Sequence, residues 1–191
     1  PGYSFVGWTF DAKETDSVDI KDGNSVINLT QNKDAEVILY AQWKPNTYQV
    51  SYSCGTGTGI TPNGTSVEFD SKIVLPENTC EYSGYEFVGW TDGTNTYAAN
   101  SELDWTSTEN KTFTANWSLD VYTITYNLYG GTNNANNPAA YGVDSPDIIL
   151  QNPTRANSIF EGWYADSGFN TKVEKIESGS TENITLYAKR T

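Results

Sequence analysis

The chain has 191 residues, 37% of them hydrophobic and 14% aromatic, with 13 tyrosines and 6 tryptophans supplying most of the rings. Aliphatic poverty with ring abundance suits several small domains, each cored by rings that bury roughly 150–250 Å² apiece, better than one large core. Eleven basic against 24 acidic residues leave a formal charge of −13, which speaks against nucleic acid and an anionic membrane surface as partners, and suits a solvated, exposed chain.

In chain order, the first block is Gly2-Tyr3-Ser4-Phe5-Val6-Gly7-Trp8, whose Phe-x-Gly-Trp segment is predicted as a strand with a glycine that lets backbone or a ring approach closely. Leu39-Tyr40-Ala41-Gln42-Trp43 closes that stretch, and Tyr48-Gln49-Val50-Ser51-Tyr52 opens the next. Lys72-Ile73-Val74-Leu75 is a short strand beside a proline. Gly84-Tyr85-Glu86-Phe87-Val88-Gly89-Trp90 repeats the first element, and Phe113-Thr114-Ala115-Asn116-Trp117 repeats the closing one. Tyr122-Thr123-Ile124-Thr125-Tyr126-Asn127-Leu128 alternates with period two and reads as a half-buried strand. Asp147-Ile148-Ile149-Leu150 is short, Asn157-Ser158-Ile159-Phe160-Glu161-Gly162-Trp163 is a third, weaker copy of the glycine-tryptophan strand, and Asn183–Ala188 is the last strand. The one helical candidate is Phe169–Ser178, with apolar Val173 and Ile176 and room for one or two turns.

These blocks recur at one period. Trp43 to Trp117 is 74 residues, Trp90 to Trp163 is 73 and Tyr48 to Tyr122 is 74. Trp90 to Trp117 and Trp163 to Arg190 are each 27, whereas Trp8 to Trp43 is 35, which places an 8-residue insertion in the Asp11–Ser25 region. Three modules follow: residues 1–45, the C-terminal part of a truncated repeat without the opening strand, and two complete repeats at 46–119 and 120–191. The joints Lys44-Pro45-Asn46-Thr47 and Ser118-Leu119-Asp120-Val121 are short and carry a proline or apolar residue. They restrict reorientation as Gly/Ser linkers do not, so a semi-rigid rod is expected. The chain opens in mid-module and reads as part of something longer, so its missing signal peptide carries little weight. No stretch approaches the ~18–20 apolar residues of a membrane span.

Catalytic sets fail one after another. There is no histidine, which removes Ser-His-Asp and Cys-His nucleophile pairs and the usual zinc sets. Gly55-Thr56-Gly57-Thr58-Gly59 lacks the lysine of a phosphate-cradling loop. No carboxylate pair recurs at one position of each copy as glycosidase chemistry would want, and Glu102/Asp104 and Glu174/Glu177 read as solvated faces. Asp92-Gly93-Thr94-Asn95 and Asp166-Ser167-Gly168-Phe169-Asn170 resemble calcium loops only superficially, and turns around Asx residues explain them better. No catalytic residue, metal site or cofactor is assigned.

Trp8, Trp90 and Trp163 share one repeat position and are read as core anchors rather than glycan-stacking rings. Trp105 has Ser178 and Gln31 as its equivalents by spacing, so no shared core role requires a ring there. An exposed Trp105, near Tyr97, is the candidate binding contact. Cys54 and Cys80 lie 26 positions apart and have no counterpart in the third copy. In an oxidising setting we favour a bridge over two free thiols, and it would contribute about 3–4 kcal/mol.

The Gly-Tyr-x-Phe-x-Gly-Trp block, followed about 27 residues later by Ile-Thr-Leu-Tyr-Ala-Lys in the third copy, resembles the Listeria–Bacteroides repeat, the B-repeat module associated with internalin B. The third copy is closest, through Tyr122–Thr132, Asn152-Pro153-Thr154-Arg155 and Asn183–Lys189; it departs at Arg190, where the others close with Trp, and at Asn157-Ser158-Ile159. The resemblance implies a mostly β or α+β fold of tandem β-grasp, ubiquitin-like modules laid out as an elongated rod. It implies a monomeric, non-enzymatic region of a bacterial cell-surface or secreted protein, extracellular, not inserted in the membrane, acting as stalk or spacer and in adhesion. The competing expectation is a module binding host or neighbouring-cell glycans or proteins through aromatics near Trp105; a hydrolase ranks last.

Overall fold

The structure, a computed structural model, describes residues 1–13 and 17–191. All regular structure among the described residues is strand. The first copy holds β1 (Tyr3–Thr9), β2 (Ile20–Lys21) and β3 (Tyr40–Pro45). The second holds β4 (Thr47–Ser53), β5 (Thr58–Gly59), β6 (Thr65–Glu68), β7 (Lys72–Val74), β8 (Cys80–Glu81), β9 (Tyr85–Thr91), β10 (Thr96–Tyr97), β11 (Glu102–Asp104) and β12 (Lys111–Leu119). The third holds β13 (Tyr122–Asn127), β14 (Ala140–Tyr141), β15 (Ile148–Ile149), β16 (Phe160–Tyr164), β17 (Lys172–Val173), β18 (Lys175–Ile176) and β19 (Ile184–Arg190). Residues 14–16, inside the expected Asp11–Ser25 insertion, lie outside the described residues. The chain forms two compact units: Pro1–Gly55, Gly59–Cys80 and Gly89–Asn116 make one, and Thr56–Thr58, Glu81–Val88 and Trp117–Thr191 make the other.

The second and third copies share a sheet plan. The strand orders are β6-β4-β12-β9-β10 and β14-β13-β19-β16-β17, so the opening strand lies beside the closing strand in each. That pair is parallel, with Val50 opposite Lys111 and Ile124 opposite Ile184. Alternation explains the faces: Val50 and Tyr52 of β4 are buried while Gln49 and Ser51 are exposed, as a two-residue period requires. β12 and β19 likewise turn Phe113 and Ala115, and Leu186 and Ala188, into their cores.

A tryptophan anchors each of these cores. In the first unit Trp90 is wholly buried, donates its indole N–H to the Pro76 carbonyl at 2.9 Å and meets Tyr52 edge-on at 5.2 Å. In the second unit Trp163 is 2% exposed, donates to the Gln151 carbonyl at 3.1 Å and meets Tyr126 at 5.3 Å. Ile124, Tyr141, Leu150, Ile176, Leu186 and Ala188 complete the second core. The glycine before each tryptophan has φ of +150°, +158° or +151° at Gly7, Gly89 and Gly162. A Cβ at Gly89 would run into the Tyr97 carbonyl, and one at Gly7 into the Ile20 carbonyl. Pairing with the closing strand slips there, between Phe5 and Gly7 and between Phe160 and Gly162, as at a β-bulge.

The stretch before the second copy differs from the other two. Its sheet is β2-β1-β3 alone, and Trp8 is 37% exposed. β12 begins six residues before Trp117 and β19 six before Arg190, whereas β3 begins only three before Trp43. The strand residues absent from β3 correspond to Lys111–Phe113, which pair with Val50–Tyr52 in the second copy.

The helical turns expected at Phe169–Ser178 are absent. β17 and β18 lie there, with Val173 opposite Trp163 and Ile176 opposite Ile148. The three-residue spacing of these apolar side chains imitates a helical stripe, but each packs against a different strand, and tertiary pairing overrides weak local propensity.

Candidate functional site

Trp105 follows β11, which pairs with β7 through Leu103 and Ile73. Its N–H donates to the Ser71 carbonyl at 2.8 Å, and its own carbonyl accepts from the Asp70 N–H at 2.9 Å. These bonds fold the residue inward, and it is 3% exposed. The expectation of an exposed Trp105 is therefore corrected. The third copy carries Ser178 at this place and instead buries Tyr141, which sits opposite Tyr122 as Val67 sits opposite Tyr48. The second and third copies thus each bury a further ring, supplied from different positions.

Trp105 and Tyr97 line one cleft of about 260 Å³, together with Asp92, Asp104, Lys111 and Phe113. Tyr97 is half-buried and meets Phe113 edge-on at 6.1 Å. Lys111 Nζ lies 3.2 Å from Asp92 Oδ2, while Asp92 Oδ1 accepts the N–H groups of Asn95 and Thr94 at 2.9 and 3.0 Å. Those two N–H groups, then Lys111, hold the Asp92 carboxyl below the ordinary aspartate range, so it is a fixed anion rather than a proton donor. The indole N–H of Trp105 is buried without a hydrogen-bond partner.

Several other carboxylates are similarly engaged. Asp166 accepts from the N–H of Thr171 at 2.8 Å and of Asn170 at 3.1 Å, and its pKa is lowered mainly by the Thr171 bond. Both loops with a superficial calcium look thus spend carboxylate oxygens on their own backbone. Lys175 lies 2.7 Å from both Asp147 and Glu177, Lys172 is 3.4 Å from Glu174, and Lys72 is 2.5 Å from Glu102. Exposed pairs of this kind contribute little to stability, because solvent screens them. Among the described residues no group of three or more His, Cys, Asp or Glu is placed to hold a metal ion. Cys54 and Cys80 are joined by a disulfide, with Cα atoms 5.5 Å apart, and both are buried.

The closing position keeps one contact through a change of chemistry. Trp43 meets Phe5 at 5.4 Å and Trp117 meets Phe87 at 5.7 Å, both edge-on. Arg190 places its guanidinium 5.6 Å from the Phe160 ring, where a cation substitutes for an aromatic edge.

A second recurrent set escaped sequence reasoning. In the first unit, the Asn46 N–H donates to the Gly2 carbonyl at 2.8 Å, the Phe69 N–H donates to the Asn46 carbonyl at 2.9 Å, and Tyr3 packs edge-on to Phe69 at 5.5 Å. The Tyr3 hydroxyl donates to Asp70 at 2.9 Å. In the second unit, the Asp120 N–H donates to the Gly84 carbonyl at 2.9 Å, and Gly84 faces Val143. The signal was available: Gly-Tyr precedes Phe-x-Gly-Trp in both copies, and an Asx residue stands in both joints 74 positions apart.

A family model described as the Listeria-Bacteroides repeat domain matches residues 48–116 and again 122–189. The chain belongs to the Listeria–Bacteroides repeat family. Two proteins of Evansella cellulosilytica are similar to this chain. One, described by its name as a Gly-rich membrane protein, is 28% identical over 193 residues, covering 98% of this chain and 22% of that protein. The other, described as a membrane protein, is 33% identical over 152 residues, covering 79% of this chain and 22% of its own length. The repeat region thus spans about a fifth of the curated relatives it matches. No solved structure matches it. Among the described residues, no helix is long and apolar enough to cross a membrane.

Proposed function

We propose that these Listeria–Bacteroides repeats form a non-enzymatic region of a bacterial cell-surface or secreted protein, acting as a stalk or spacer and in adhesion. One observation carries the reading: the bond from a joint N–H to a Gly-Tyr carbonyl recurs, Asn46 to Gly2 and Asp120 to Gly84. A stalk needs joints that are built the same way each time. The net charge of −13, which favours solvation, and the membrane-protein names of the two relatives support an envelope location outside the cell.

On this reading the modules are residues 1–45, 46–119 and 120–191, monomeric and of β-grasp type. The strand order of the complete copies supports that type, with first and last strands parallel at the centre. Small-angle scattering of the whole chain should give a maximum dimension close to the summed module lengths. A compact particle would overturn the stalk. Light scattering should give the mass of one chain, and a dimer would remove the monomeric part.

A second reading places glycan or protein binding at the Tyr97–Trp105 cleft. Its support is that both candidate residues line one cleft and that the Trp105 N–H there has no acceptor of its own. A glycan array probed with the whole chain and with Tyr97→Ala tests it. Absence of binding, or binding indifferent to that substitution, ends it.

A further inference from the structure

We infer that the Gly-Tyr corner is the surface by which one copy receives the next, and that Asn157 and Ser158 close that corner on the third copy. The partner is another copy of the repeat, presenting the joint residue and the tight turn that follows β6 in the second copy and β14 in the third.

The receiving surface depends on a missing side chain. A Cβ on Gly2 would lie 2.5 Å from the Phe69 ring, and one on Gly84 would lie 2.5 Å from Val143 Cβ. Phe69 and Val143 are 74 residues apart and occupy the same place in their turns: Ser71 donates to Glu68 in one turn and Ser145 to Gly142 in the other. Both corner glycines are also in the left-handed region, with φ of +87° and +78°, and glycine adopts that region without strain.

The third copy keeps the conformation and loses the space. Asn157 stands where Gly2 and Gly84 stand and has φ of +54°, a region asparagine tolerates. The backbone corner is therefore intact, but a Cβ now occupies the place against which an incoming turn would pack. Ser158 replaces the tyrosine that reaches Asp70 in the first joint, and its hydroxyl is buried without a partner. A copy placed after the third cannot seat in the way the second and third do.

The inference rests on the tandem reading but not on the stalk role, and amide exchange at single joints separates the two. Gly84→Asn in the whole chain imports the side chain of the third corner while retaining the left-handed turn. It should speed exchange of the Asp120 amide by about tenfold or more, as for a locally opened segment. The Asn46 amide and the core Ile124 amide, which donates to the Ala139 carbonyl at 2.8 Å, should be unchanged and report that both units stay folded. In a second protein, a copy of residues 120–191 is appended after Thr191 through one leucine, which preserves the joint length. Its joint amide should exchange freely behind the native corner and be slowed by about tenfold in Asn157→Gly/Ser158→Tyr. Unchanged Asp120 exchange in Gly84→Asn would overturn the docking surface. Equal protection of the appended joint behind native and substituted corners would overturn the role given to Asn157 and Ser158.

Discussion

The indole N–H of Trp90 is held by the Pro76 carbonyl at 2.9 Å, and Trp163 repeats the bond with Gln151 at 3.1 Å. A buried ring that is also a hydrogen-bond donor leaves two losses to measure when it is replaced. Trp163→Phe keeps most of the apolar surface but removes one of two donors to the Gln151 carbonyl, Asn137 Nδ2 remaining at 2.9 Å, at a cost of about 0.5–1.5 kcal/mol. Trp163→Ala adds a cavity and should cost about 3–5 kcal/mol. Trp8→Ala should cost less than Trp163→Ala, since Trp8 is 37% exposed. Urea denaturation of the whole chain followed by circular dichroism checks the order, and an equal loss at Trp8 and Trp163 would contradict the anchoring role.

The Cys54–Cys80 bond closes a separation of 26 residues, so its reduction should weaken the surrounding fold by about 3–4 kcal/mol in the chain-entropy account. The third copy contains no cysteine, and its unfolding should be indifferent to reductant. Denaturation with and without dithiothreitol, resolved by amide exchange in the two regions, checks this. Two alkylatable thiols in the untreated protein would remove the premise.

Gly89 illustrates why the glycine before tryptophan cannot acquire a side chain. Gly89→Ala drives a Cβ into the Tyr97 carbonyl at a φ of +158°, and the backbone strain alone should cost about 1–3 kcal/mol. Gly93→Ala is the control: it also has positive φ but finds nothing within 4 Å. Thermal unfolding should rank Gly89→Ala as the more damaging change, and the reverse order would show that strain rather than collision governs the site.

Stability should have both an alkaline and an acid limb. Burial pushes the Tyr126 phenol up to about 12, against about 10 for an unfolded tyrosine. Its contribution is therefore whole below about pH 10 and lost as pH rises towards 12. Tyr126→Phe should flatten that limb while lowering the plateau, because the hydroxyl donates to the Pro138 carbonyl at 2.9 Å. On the acid side, the Asn95 N–H lowers Asp92, Lys175 lowers Asp147 and the Thr171 N–H lowers Asp166. Carboxyls with depressed pKa stabilise above the unfolded value of about 3.9 and lose that contribution as pH falls through their folded values. Denaturant midpoints across pH test both limbs, and an unaltered alkaline slope in Tyr126→Phe would assign that limb elsewhere.

The repeat itself was legible in one dimension. Blocks recurring at 73 or 74 residues and the alternation in Tyr122–Leu128 needed no knowledge of neighbours, because a strand with one buried face writes its period into its own residues. The strands β13, β15, β16 and β19 accordingly lie where that pattern placed them. Three matters depended on what stands opposite. Trp105 is buried because Ser71 and Asp70 bind its backbone and turn it inward, which spacing alone could not foretell. Val173 and Ile176 serve different strands rather than one helical face. The Gly-Tyr corner became a site only when Phe69 and Val143 were seen against its glycines. Periodicity is a property of a segment, whereas burial and steric closeness belong to pairs of segments, and only the folded chain decides which pairs meet.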